Sequence, residues 1–154
     1  MAKFGVKSKE NLGTCHQDLQ TVFYEVVKNF DCSVVYGYRS PEIQFELYKK
    51  GRELINGKWV LVDKKKRVTN CDGIDIKSNH NTFPSMAADV CPYPTMYSDM
   101  NTIRHFAGYV LGVARTLKAY GAIESDIVCG IDWDNDNDLS DQSFFDAVHF
   151  QIKT

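Results

Sequence analysis

The chain has 154 residues, 44% of them hydrophobic and 25% charged, and a formal net charge of −2. That is enough chain to bury one core without disulfide staples, and its apolar fraction excludes wholesale disorder. The weak negative charge excludes a nucleic-acid binder that relies on a broad basic surface, and no apolar run approaches the about 20 residues of a membrane helix.

From the N-terminus, Met1 to Asn11 is polar and lacks the apolar centre of an export signal, so no signal peptide is expected. The first predicted helix starts at Thr14, where Thr14 and Gln17 have capping-box spacing. Leu19, Val22, Phe23, Val26, Val27 and Phe30 then follow helical steps, with His16 as a structural residue of the first turn. A β-rich run, residues 33–38, comes next. The second helix takes Ser40 as N-cap and Pro41 at its first position, and Gly51 supplies the stop. The third starts near Ser98 and Asp99, carries Ile103, Phe106, Val110, Val113 and Leu117, and ends at Gly121; its His105 faces away from that stripe.

Between the second and third helices, residues 57–84 are mostly polar and read as loop with one short strand at 59–62. The basic run Lys64, Lys65, Lys66 and Arg67 reads as a solvated turn rather than a polyanion site. Residues 86–90 and 127–131 read as buried strands. Residues 147–153 alternate, with Val148, Phe150 and Ile152 against His149, Gln151 and Lys153. The pattern predicts one α+β domain over residues 1–154, a small, mainly antiparallel sheet flanked by about three helices. The five cysteines contain no CxxC pair and fit reduced thiols better than a disulfide framework.

Asp89 interrupts an otherwise buried strand in Ala87-Ala88-Asp89-Val90. An unpaired buried carboxylate costs several kcal/mol, so Asp89 requires a cation or strong donors. His80 lies nine residues before it, and His149 sits in the last strand. Two imidazoles and a carboxylate would leave a zinc ion one open position on the sheet face, as a catalytic site requires. Taken singly, each histidine reads more readily as a satisfied core or surface residue than as a ligand.

Four runs occur in one order: Gly37-Tyr38-Arg39-Ser40-Pro41-Glu42-x-Gln44, Ser78-x-His80, Ala87-Ala88-Asp89-Val90 and Asp146-x-x-His149-Phe150. Together they resemble the D-alanyl-D-alanine carboxypeptidase and L-alanyl-D-glutamate endopeptidase family, in particular its bacteriophage endolysins. The resemblance implies that His80, Asp89 and His149 are zinc ligands, Asp146 the general base and Arg39 the cation steadying the oxyanion. It implies a zinc peptidase of peptidoglycan stem peptides, monomeric, made in the host cytoplasm and reaching the wall through a separate holin. No nucleic-acid partner and no membrane insertion are expected. A D-alanyl-D-alanine carboxypeptidase or dipeptidase, and a silent zinc- or wall-binding module, are the alternatives. One departure is the spacing from His80 to Asp89: many members place the Asp seven residues on, and residues 83–86 read as a two-residue loop insertion.

Asp132, Asp134, Asp136 and Asp138 alternate like the start of a calcium loop, with Asn137 in the left-handed position and Ser143 where the bidentate Glu would stand. An acidic solvated turn is the other reading. Trp133 in this segment reads as either a substrate wall or a cover for the core.

Overall fold

A computed structural model describes residues 1–153 and confirms the α+β class. Along the chain lie α1 (Val6–Gly13), α2 (Gln17–Val26), β1 (Cys32–Tyr36), α3 (Pro41–Tyr48), β2 (Arg52–Ile55), β3 (Lys58–Leu61), β4 (Ala87–Pro92), α4 (Met100–Ala119), β5 (Ile127–Gly130) and β6 (Asp146–Ile152). Two short 3-10 turns, Lys64–Lys66 and Asn79–Asn81, interrupt the segment between β3 and β4. The main sheet has the order β1-β4-β6-β5, every neighbouring pair antiparallel, and β2 with β3 forms a separate hairpin.

The side-chain period of two divides the sheet into two faces. Ala88, Val90, Phe150 and Ile152 turn toward α2 and α4 and join the core. Phe150 is wholly buried and meets Phe23 of α2 and Phe106 of α4 edge to face, with centroids 5.3 and 6.0 Å away. The other parity, Asp89 on β4 and His149 on β6, points to the opposite face, and the register sets these two residues directly across from each other.

Three sequence expectations change. The described residues form four α-helices rather than about three, because α1 buries only Ser8 and Leu12, too thin a stripe to announce itself in the sequence. Helix α2 begins at Gln17, with His16 as N-cap accepting from the Asp18 amide, and ends at Val26. The Thr14 hydroxyl does not cap it; it donates to the Asn11 carbonyl and accepts from the Tyr38 amide. The strand at 59–62 is one arm of the β2–β3 hairpin, whose turn residues Asn56 and Gly57 both have positive φ (49° and 76°), as a type I′ turn requires. The expected starts of α3 and α4 hold, with Ser40 and Asp99 as caps.

Candidate metal centre

Each candidate ligand is delivered by a different piece of backbone. Ser78 opens the 3-10 turn Asn79–Asn81: its hydroxyl accepts from the His80 amide while the Asn81 side chain accepts from the Ser78 amide. The strand exit after β1 then clamps that turn. Arg39 N–H donates to the His80 carbonyl (2.8 Å), and Asn81 Nδ2 donates to the Arg39 carbonyl (3.0 Å). Residues 83–86 do not form a loose loop, since the Ser85 amide and carbonyl bond Thr14 and His16 of the α1–α2 connection.

His80 Nε2 lies 3.1 Å from Asp89 Oδ1, His149 Nδ1 lies 3.1 Å from the same oxygen, and the two ring nitrogens are 3.2 Å apart. All three residues are buried. The remaining nitrogen of each imidazole faces a pure acceptor. His80 Nδ1 is 2.7 Å from the Gly37 carbonyl, and His149 Nε2 is 2.9 Å from Gln151 Oε1. In the neutral rings those outer nitrogens carry the proton, which leaves two lone pairs and a carboxylate oxygen converging on one point. That is the outer-shell arrangement typical of metal-ligating histidines. A tetrahedral ion with bonds of about 2.0–2.1 Å needs donors roughly 3.3 Å apart, and the triangle here nearly matches that spacing. The donor set fits a divalent cation that accepts nitrogen and oxygen.

Gly37 is required for the close approach that brings its carbonyl to His80. A Cβ there would lie 2.2 Å from the Asn11 carbonyl oxygen and 2.3 Å from Thr14 Oγ1. Gln151 escaped the sequence reading, although its place two residues after His149, on the same face of β6, was the available signal.

Electrostatics follow from burial and these partners. Burial alone would raise the Asp89 carboxyl; its close approach to His80, His149 and Arg39 holds it well below the usual carboxylate range. Burial lowers His80 despite Asp89 beside it. Burial would lower His149 as well, but the contact its protonated ring makes with Asp89 outweighs burial and raises it. Asp146 is raised, first by burial and then by the Asp89 charge.

The triad opens into a cleft of about 300 Å³ that Arg39 and Asp146 also line. Arg39 is buried and forms an ion pair with Asp89. Residues 69–71, Lys77, Trp133 and Phe144 line the cleft as well. Trp133 packs its ring 5.3 Å from that of His149, so it walls the cleft. Burial raises the Cys71 thiol, the cysteine that lines the cleft, above its ordinary value. The five cysteines are all free, as expected.

In the acidic loop, carboxylate oxygens of Asp132, Asp134 and Asp136 converge, while Asp138 is not part of that group. Asp132 accepts from the Asp136 and Asn137 amides, Asp138 caps Ser140, and Asn137 has the expected positive φ of 72°. His105 is exposed, and no described helix is long and apolar enough to cross a membrane.

Comparison with protein-family models finds no match, and neither does comparison with curated protein sequences. Among solved structures, the fold is similar to that of the L-Ala D-Glu endopeptidase ChiX of Serratia marcescens. The TM-score is 0.58 at 20% identity, over 97% of this chain and 89% of the other.

Proposed function

We propose that the protein is a zinc-dependent peptidase of peptidoglycan that cleaves the bond between L-alanine and D-glutamate in the stem peptide. The single observation that carries this is the convergence of two imidazole nitrogens and a carboxylate oxygen in an open cleft. The fold likeness to an L-Ala D-Glu endopeptidase supports the choice of bond.

His80, Asp89 and His149 would hold the ion, which supplies Lewis acidity toward the peptide carbonyl and lowers the pKa of attacking water. Asp146 is the general base. It lines the same cleft, and burial with the nearby Asp89 charge raises its proton affinity toward that of a useful base. Asp146 takes the proton of the attacking water and hands it to the leaving amine. Arg39 places positive charge beside the developing oxyanion while its own hydrogen bonds hold Asp89 and Gln44. Trp133 and the 69–71 segment flank the extended peptide.

This activity suits a bacteriophage endolysin that acts in host lysis, as a monomer, once a holin opens the way to the wall. Mass spectrometry of murein digests decides between bonds: new D-glutamate amino termini support the endopeptidase, whereas free D-alanine would assign the carboxypeptidase. A digest that releases neither, from protein that binds zinc, would leave a silent binding module. A second reading, calcium control, is favoured by the convergence of Asp132, Asp134 and Asp136. It requires millimolar calcium to change activity at fixed zinc, and unchanged activity rejects it.

A further inference from the structure

We propose that Gln44 is a positioning residue that couples the metal ligand Asp89 to one wall of the cleft, an inference that rests on the metal-centre reading above. Gln44 is wholly buried on α3, where a polar side chain needs a specific set of partners. Both polar atoms of its amide have partners. Oε1 accepts from Arg39 Nη1 (3.1 Å), and Nε2 donates to Thr69 Oγ1 (3.2 Å) and to the Cys71 carbonyl (3.0 Å).

Arg39 has few other anchors. Its Nη2 holds Asp89 Oδ2, its guanidinium carbon lies 4.8 Å from the centre of the Tyr36 ring, and its buried Nε has no hydrogen-bond partner among the described residues. Gln44 and Asp89 therefore fix the plane of the guanidinium between them. Asp89 in turn uses Oδ2 for Arg39 and presents Oδ1 to both histidines. The chain Gln44–Arg39–Asp89 thus decides which carboxylate oxygen reaches the centre. The same glutamine amide holds Thr69 and Cys71, which line the cleft. Gly73 seals the joint: its φ of 81° favours glycine, and a Cβ there would lie 2.8 Å from Gln44 Cβ.

The two halves of the amide therefore have separable jobs. The oxygen serves the metal ligand through Arg39, and the nitrogen serves the cleft wall. Gln44→Met keeps the volume and removes both. Gln44→Glu keeps an acceptor for Arg39 and removes the donor toward Cys71. Zinc affinity, read by competition with a colorimetric chelator, is expected to fall about 10- to 100-fold in Gln44→Met, the range for loss of outer-shell support. Gln44→Glu is expected to stay within about threefold of wild type in zinc affinity, on that same scale, and to raise KM with kcat little changed. A merely structural glutamine would lower the thermal midpoint of both variants and leave zinc affinity alone.

Wild-type affinity in Gln44→Met, or equal losses in both variants, overturns the proposal while leaving the metal centre standing. Should Gln44→Met fail to fold, Gln44→Glu decides alone: retained zinc with raised KM supports the coupling, and lost zinc or unchanged KM overturns it. Wild-type protein that binds no divalent ion overturns both the metal centre and this inference.

Discussion

Gln151 offers a sharp test of how the centre is built. Its Oε1 accepts the Nε2 proton of His149 at 2.9 Å and so leaves Nδ1 as the lone pair facing Asp89 and His80. Gln151→Met removes that acceptor at a half-buried position and leaves its backbone pairing to Ala87 and Val128 intact. The imidazole can then adopt the other tautomer or rotate, and each productive binding event must restore it. Loss of such an outer-shell partner costs about 10- to 100-fold in metal affinity, or roughly 1.4–2.7 kcal/mol. Zinc titration against a competing chelator at neutral pH reads this directly, with circular dichroism as the check on folding. Gln151→Glu, which keeps an acceptor, should retain tight binding. A folded Gln151→Met protein with wild-type zinc affinity would refute the tautomer reasoning.

Asp146→Asn should reduce turnover by at least about 100-fold while zinc remains bound, since general-base catalysis contributes on the order of 10²–10⁴; stopped turnover without zinc would make Asp146 structural instead. Zinc affinity should rise with pH and then level off. His149 has a proton affinity above the ordinary histidine range, so below that raised pKa a proton competes with the ion, and above it the competition ends. Isothermal titration in buffers of different ionisation enthalpy should register proton release below that point, and a pH-independent affinity would contradict the assignment. Phe150→Ala should cost about 3–5 kcal/mol in urea unfolding of the metal-free protein, because the ring is wholly buried between Phe23 and Phe106.

Much of the site is legible in the sequence because each part sits in a short local pattern. Asp89 stands out as a carboxylate in a buried strand, and Ser78 marks the turn that carries His80. Helices α3 and α4 are legible through Ser40 with Pro41 and through Asp99. The start of α2 is misread because Thr14 has a competing use: its hydroxyl serves Asn11 and Tyr38, a tertiary contact that local spacing does not reveal. Helix α1 is silent because its burial depends on β1, against which Ser8 bonds the Val34 amide. The outer shell is hidden for the same reason. Arg39 and Asp89 are 50 residues apart, Gln44 and Cys71 are 27 apart, and nothing local in either pair announces the partner.

The central claim is that a metal held by His80, Asp89 and His149 drives cleavage of the stem peptide. The most direct test loads the chelator-stripped protein with one equivalent of zinc and follows new amino termini in purified murein. The account predicts D-glutamate amino termini that appear with zinc, vanish on chelation and return on reloading. Zinc-loaded, folded protein that releases no new amino termini would contradict it.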